Sequence, residues 1–433
     1  MNQPTEAPTE SPLRGRPFAR RLPALPSWLR PDPLHALGLL LVASALCRAF
    51  RLGTPNKPAI FDEPFYVNSA RLILGIHVRG GPYMDYPLGL DPNHEHPPLG
   101  KLLIAGSMRL FGDNGFGWRF PSLLAGIACI ALVYAIVRAV SEDDWLAVLA
   151  AGIFAFDNLV LVHSRIGTLD MPMLAFLLLG VWCWFRGWPL AAGVACGIAG
   201  LIKETAYLGV AALLLLGLGA VVIRAGRERA LDRRALRASV LLVLSAAVVW
   251  FGGLWLLDLA YTNYDNPWAH LRAILNYGFG IRGITANNQS RPWRWFVNEG
   301  QMTYFDLVKN VTVNGRTVST QQLIFFRGAM NPVLIGAAPL AISHVAWRAW
   351  RFREMLSIWV LAWVATTYLV YYPLVLFADR TTYLYYILLT MPALAVATAQ
   401  LLRQSALPRV VTWGYLIALL VGFGLYYPFR GVL

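Results

Sequence analysis

The chain has 433 residues, of which 57% are apolar and 14% charged, and it carries a formal net charge of +14. Apolar runs of ~18 residues or more recur along nearly its whole length, which is typical of transmembrane helices. The arginines cluster between these runs and no recognition motif accompanies them, so the positive charge does not indicate binding to nucleic acid. The composition predicts a polytopic membrane protein.

Cysteine usage and the N-terminal composition set further bounds. The four cysteines lie in apolar segments without metal-ligand spacing, so we expect neither a disulfide nor a zinc site. Residues 1–33 are rich in Pro, Arg and small polar residues, and they are too polar to pack a core. We interpret them as a disordered cytoplasmic tail, followed by a single transmembrane catalytic domain over residues 34–433.

Hydropathy predicts about eleven membrane-spanning helices. The predicted spans are 34–50, 119–138, 145–162, 171–186, 189–202, 205–223, 238–258, 330–347, 355–377, 383–402 and 409–427.

Basic residues fall in alternate loops between these spans. With the basic tail inside, the short inner loops carry several arginines, including the run 224–237, whereas short outer loops carry about one cation each. This asymmetry predicts a cytoplasmic N-terminus. Two outer loops, residues 51–118 and 259–329, are long and polar, and long loops in compact proteins are usually functional. We therefore expect any chemistry at the outer face of the membrane.

The first outer loop contains an acidic pair in "IFDEPFYVNSAR". Asp62 and Glu63 precede Pro64, which favours the first turn of a helix, so either carboxylate could simply cap that helix. Adjacent residues on a helix point about a hundred degrees apart, so one carboxylate can cap while the other faces a cavity. A carboxylate at the membrane edge is costly, and its pKa is easily tuned towards base duty.

The same loop holds "HEHPPLGK", residues 94–101. Its two prolines hold His96 in an extended conformation and place His94 and His96 on one side, with Glu95 on the other. A solvated polar loop, a metal site and an active-site loop all remain open, although the spacing matches no standard zinc pattern. Lys101 would serve as an anion-binding group or as an anchor at the membrane interface.

Ionisable residues also fall at the outer ends of later spans. Arg165 and Asp170 in "HSRIGTLDMP" could form a structural salt bridge or belong to a site, and Lys203 and Arg380 lie at comparable depth. Outer-side cations that converge near a carboxylate would bind a phosphate. Trp293, in "SRPWRWF", belongs either to an interfacial aromatic belt or to a wall that stacks on a sugar or peptide.

Taken in order, these motifs resemble the protein O-mannosyltransferase family of membrane glycosyltransferases that use polyprenyl-phosphate sugars, and their bacterial relatives. The resemblance spans about residues 35–400. It is carried by "FDEPFY", "HPPLGK", "SRIGTLDMP", "AGLIKETAYLG", "SRPWRW" and "RTTYLYYILLTMP". The chain departs from the eukaryotic enzymes in lacking a β-trefoil insertion in the second outer loop and a His-containing late helix. Aminoarabinose transferases acting on lipid A share the general architecture.

The resemblance implies an all-α GT-C glycosyltransferase fold with about eleven membrane helices. It also implies an inverting transfer of a sugar, mannose in this family, from a polyprenyl phosphate to Ser or Thr hydroxyls of extended secreted polypeptide. Asp62 would be the general base with Glu63 in support, while Arg165, Lys203 and Arg380 would stabilise the leaving phosphate. The other substrate-binding candidates are Glu95, His96, Lys101, Asp170, Trp293 and Tyr385. We expect no cofactor, no metal ion and no nucleic-acid partner, only substrates and membrane lipids.

Two alternatives lead to different chemistry. A lipid or glycolipid acceptor would leave the catalytic groups unchanged and alter only the product. A transporter would place intramembrane charges along a pathway through broken helices in paired inverted halves. The sequence shows no internal symmetry and both long polar loops lie on one predicted side, which favours the enzyme.

Overall fold

A computed structural model describes residues 32–57, 59–228, 232–313 and 316–430. The predicted N-terminal tail therefore lies almost entirely outside the described residues. Within them, six helices are long and apolar enough to cross a membrane, and shorter apolar helices accompany them. The prediction of a polytopic helical membrane protein is confirmed, while the number of spans remains a prediction.

The helices match the predicted spans closely, with three additional helices in the two long loops. In chain order the helices are α1 (Pro33–Ala49), α2 (Glu63–Ile73), α3 (Leu99–Phe111), α4 (Gly115–Ser141), α5 (Asp144–Ala155), α6 (Asn158–His163), α7 (Asp170–Phe185), α8 (Pro189–Ile202), α9 (Tyr207–Glu228), α10 (Arg233–Tyr261), α11 (Pro267–Gly280), α12 (Pro332–Phe352), α13 (Met355–Val364), α14 (Tyr371–Ala378), α15 (Met391–Gln404) and α16 (Arg409–Leu425).

Small residues allow α8 to pack closely between its neighbours α7 and α10. A Cβ atom on Gly193 would lie 2.4 Å from the carbonyl oxygen of Leu242, and one on Gly197 would lie 2.8 Å from that of Ala246. Small residues four apart are the usual means by which membrane helices approach each other closely. This packing fixes the end of α8, where Lys203 follows.

Ion pairs join the helix ends on one side of the bundle. Arg403 at the end of α15 donates to Asp143 at 2.6 Å, and Arg138 near the end of α4 pairs with Asp144. At the opposite end of α4, Arg119 contacts Glu63 at the start of α2. The basic turns and the long loops therefore lie at opposite ends of the bundle.

The two long loops are more ordered than the sequence analysis expected. The first contains α2 and α3, and the second contains α11 and an antiparallel hairpin of β1 (Met302–Val313) and β2 (Arg316–Gly328). The predicted all-α fold did not include this hairpin. Its strands are rich in Thr, Val and Phe, residues that fit a pleated, half-buried surface. The hairpin packs through β2 against α6.

Candidate active site

A cavity of about 500 Å³ opens among the two long loops and the adjoining helix ends. It collects residues from segments far apart in the chain: the start of α2, the loop before α3, the starts of α7 and α9, and the segment between α14 and α15. The predicted site residues that line it are Asp62, Glu95, His96, Asp170, Lys203, Arg380 and Tyr385.

Asp62 immediately precedes α2, but its carboxylate forms no capping hydrogen bond. Within the described ranges no side chain forms an ion pair or a hydrogen bond with this carboxylate, which lines the cavity instead. Burial raises the pKa of Asp62 to about 6, although the nearby Lys203 acts in the opposite direction. The capping interpretation of Asp62 is therefore wrong, and the group is poised to accept a proton near neutral pH.

Glu63 points the other way, as adjacent residues of a helix must. Its fully buried carboxylate accepts hydrogen bonds from Arg119 at 2.6 and 2.9 Å, and from the backbone N–H groups of Ile60 at 2.6 Å and Gly167 at 2.8 Å. Glu63 is absent from the cavity lining. We therefore correct its predicted catalytic role: Glu63 ties the start of α2 to α4 and positions Asp62.

Lys203 and Asp170 form an ion pair in the lining of the cavity. Lys203 Nζ lies 2.7 Å from Asp170 Oδ1, while His163 Nδ1 lies 3.7 Å from the other carboxylate oxygen. The opposite nitrogen of His163, Nε2, lies 3.0 Å from the Tyr304 hydroxyl of β1. Asp170 therefore pairs with Lys203 rather than with Arg165, and within the described ranges no second carboxylate pairs with the Lys203 ammonium.

Arg380 is the cavity cation with the most hydrogen-bonding capacity left. Its Nη1 donates to the carbonyl oxygens of Ile281 at 3.2 Å and Thr381 at 3.0 Å. Among residues 32–57, 59–228, 232–313 and 316–430, no carboxylate pairs with it. An arginine that keeps free donors and faces a cavity is suited to bind an anion such as a phosphate.

The loop before α3 brings Glu95 and His96 to the cavity. His96 Nδ1 lies 2.7 Å from Glu204, and Glu95 accepts a hydrogen bond from the Asn93 amide at 2.6 Å. Lys101 fixes the backbone of this loop. Its fully buried ammonium lies 2.7 Å from Asp91 and donates to the His96 carbonyl at 2.6 Å. The predicted anion-binding role of Lys101 is therefore wrong because its charge is neutralised within the protein.

Arg165 does not reach the cavity either. Its buried guanidinium donates to the backbone carbonyls of Cys47 and Phe50 at the end of α1, and to the Tyr427 hydroxyl at 3.3 Å. These acceptors anchor the turn after α6 to the first helix. The predicted phosphate contact of Arg165 is wrong, and the alternative salt bridge to Asp170 is also absent.

Trp293 lies outside the main cavity, at a second and smaller polar cavity formed by residues 284–299. Its half-exposed ring packs near Tyr372. Tyr385, a predicted substrate-binding residue, lines the main cavity, where its ring stacks on His163 with ring centroids 5.8 Å apart and meets Phe61 edge-on. Phe61 also lines the cavity and was not predicted, because aromatic residues are too common in this chain for composition to single one out.

No group of three or more His, Cys, Asp or Glu side chains in the described residues is arranged to hold a metal ion. In the part of the chain that the structure describes, the Asp62 carboxylate forms no ion pair, and the cations Lys203 and Arg380 line the same cavity. Such a site can accept a proton from a nucleophile and stabilise a leaving anion.

Comparisons with known proteins show which family the chain resembles. Residues 95–252 match the family model described as dolichyl-phosphate-mannose-protein mannosyltransferase. The chain is 37% identical over 136 residues to the polyprenol-phosphate-mannose–protein mannosyltransferase of Mycobacterium tuberculosis. This match covers 31% of this chain and 25% of that protein. It is 32% identical over 194 residues to the protein of the same name in Mycolicibacterium smegmatis, covering 41% and 35%. The matched part is thus a quarter to a third of the length of these relatives.

The solved structure of the Saccharomyces cerevisiae protein O-mannosyltransferase complex bound to its sugar donor covers 92% of this chain and 90% of the matched chain. The TM-score is 0.70 at 12% identity. The GT-C fold predicted from the resemblance is confirmed, and so is the resemblance to the mannosyltransferase family.

Proposed function

We propose that this protein transfers mannose from a polyprenyl-phosphate carrier to Ser or Thr hydroxyls of polypeptide. Its GT-C fold and its match to the mannosyltransferase family model support this proposal. The observation that carries the proposal is the cavity that Asp62 lines together with Lys203 and Arg380, with no ion pair or hydrogen bond to the Asp62 carboxylate among the described residues. The relatives in mycobacteria are named for mannose transfer to protein from a polyprenol phosphate, which supports the same donor and acceptor here.

The reaction requires one bond to form and one to break. The acceptor hydroxyl oxygen attacks the anomeric carbon on the face opposite the phosphate, so the configuration inverts. Asp62 takes the hydroxyl proton, and the electron pair of the broken carbon–oxygen bond leaves on the polyprenyl phosphate. Arg380 and Lys203 stabilise this anion electrostatically, while Asp170 holds the ammonium of Lys203 in place.

The sidedness of the protein belongs to the same proposal. The ends of α4 and α15 that carry Arg138 and Arg403 lie opposite the cavity. Basic residues concentrate on the cytoplasmic side of membrane proteins. This supports a multi-pass protein of the cell membrane with a cytoplasmic N-terminus and an extracytoplasmic active site.

The pH dependence of the reaction follows from Asp62. A general base works in its deprotonated form, and burial raises the pKa of this carboxylate to about 6. We expect kcat/KM to be level above that pH and to fall about tenfold per unit below it. Residual activity of Asp62→Asn should lack this acidic limb, and a wild-type profile that stays flat down to pH 4.5 (roughly the pKa of an ordinary carboxylate) would contradict the assignment.

Removal of Arg380 tests the phosphate site. Arg380→Ala should raise KM for the polyprenyl-phosphate donor by roughly 10- to 100-fold, since a hydrogen bond to a charged group contributes about 1.5–3 kcal/mol. Arg380→Lys should restore binding only in part because lysine lacks the planar fork. Arg282→Ala is the matched control, since Arg282 pairs with Arg380 through the backbone but is absent from the cavity lining. Equal donor KM values in Arg380→Ala and Arg282→Ala would show that the donor phosphate does not bind at Arg380.

The acceptor is tested in cells. Deletion of the gene should remove hexose from Ser- and Thr-containing segments of secreted proteins, as measured by mass spectrometry of the culture medium. Unchanged protein glycosylation together with an altered glycolipid profile would reject the polypeptide acceptor. The Asp62 chemistry and the polyprenyl-phosphate donor would survive that result.

A further inference from the structure

The hairpin has one covered edge and one open edge. Along β2, the N–H of Phe325 donates to the Pro428 carbonyl at 2.7 Å, and the N–H of Arg430 donates to the Leu323 carbonyl at 3.0 Å. Residues 428–430 thus cover the outer edge of β2. In the described part of the chain β1 pairs with β2 alone, so its other edge has no ladder partner.

The register shows which backbone groups point outwards from β1. Asp306 is the cross-strand partner of Phe325, whose N–H points away from β1 towards Pro428. In an antiparallel pair of strands, the N–H and C=O groups of two opposed residues either all point towards the partner strand or all point away from it. The N–H and C=O of Asp306 therefore point to the open edge, and Asp306 is exposed.

This open edge leads into the catalytic cavity. β1 begins at Met302, which lines the cavity, and two residues later Tyr304 stacks on Phe61 with ring centroids 4.1 Å apart. Phe61 directly precedes Asp62 in the chain. From there β1 continues outwards into exposed residues 306–310. A strand laid beside β1 would therefore run from solvent to the mouth of the cavity near Asp62.

We propose that the open edge of β1 is the docking strand for the acceptor, which pairs with it as a third, extended strand and carries its hydroxyl towards Asp62. This inference rests on the proposed polypeptide acceptor. The N–H and C=O groups of a free strand edge alternate with a repeat that only another extended backbone matches. Addition of a strand to a sheet edge is an established mode of peptide recognition, and it tolerates many side chains because the backbone supplies the hydrogen bonds.

Proline at position 306 tests the docking strand. Proline removes an N–H that β2 does not use, and edge strands tolerate proline at such positions. Asp306→Ala is the matched control because both changes remove the side-chain hydrogen bond to Gln322. Relative to Asp306→Ala, Asp306→Pro should raise KM for a Ser/Thr-containing peptide by about tenfold, the effect of one lost hydrogen bond. KM for the polyprenyl-phosphate donor should be equal in the two variants.

Modified acceptors give a second arm that does not depend on the fold of a variant. With the wild-type protein, N-methylation of a peptide amide that faces β1 should raise the acceptor KM, and methylation one residue along should not. The docking strand would be overturned if Asp306→Pro and Asp306→Ala had equal acceptor KM and the effect of N-methylation did not alternate along the peptide. It would also be overturned if Asp306→Pro dissociated a dimer of this chain without a change in acceptor KM. Absence of any wild-type transfer to peptide would instead reject the polypeptide acceptor itself.

Discussion

Asp62→Asn is expected to lower turnover by ~10² or more while leaving the protein folded. Asparagine keeps the size and much of the polarity of aspartate but cannot take the proton of the acceptor hydroxyl. The carboxylate forms no capping hydrogen bond, so its loss should not weaken α2. Turnover is measured with the purified protein, and the thermal unfolding temperature in the same detergent is the control.

The contrary outcome for Asp62 is equally clear. A variant that unfolds at lower temperature yet turns over normally when folded would make Asp62 a structural residue. Loss of a helix cap costs about 1 kcal/mol, which is the size of destabilisation that such a role would produce.

Glu63→Ala is expected to destabilise the protein by about 3–5 kcal/mol, because it leaves the charge of Arg119 buried without its partner. Both side chains of this pair are fully buried, with 0% exposure. The measurement is the thermal unfolding temperature, and Arg403→Ala is the matched control. That change breaks a partly exposed pair with Asp143, and such pairs contribute about 0–1 kcal/mol.

The two neighbouring carboxylates should therefore give different results: Asp62→Asn should be folded but inactive, whereas Glu63→Ala should be destabilised. An unfolding temperature of Glu63→Ala equal to that of the wild type, together with lost turnover, would return Glu63 to the chemistry. The same result for Arg119→Ala would show that the buried pair does not fix the start of α2.

Hydropathy predicted the membrane helices well because a helix in lipid must satisfy its own backbone hydrogen bonds, which makes long apolar runs unambiguous. The hairpin was missed because it lies in a polar region that resembled an irregular loop. Asn314 and Gly315 stand between two runs rich in β-branched and aromatic residues, and this is the strongest short-range signal for a hairpin. That pattern could have predicted β1 and β2.

Motifs identified the neighbourhood of the site better than the role of each residue. Asp62, Lys203 and Arg380 meet at one cavity as predicted, although they come from distant parts of the chain. Lys101 and Arg165 lie in equally good motifs, but their side chains turn towards Asp91 and the end of α1. Sequence spacing gives the depth of a charged residue in the membrane; the direction of its side chain depends on tertiary packing.

A transfer assay with the purified protein, one labelled polyprenyl-phosphate mannose, and parallel peptide and lipid acceptors tests the proposed reaction directly. We expect label on a Ser/Thr-containing peptide, no label on the same peptide with Ala at those positions, and at least ~10²-fold slower transfer by Asp62→Asn. Label found only on the lipid acceptor, or equal transfer by Asp62→Asn and wild type, would contradict it.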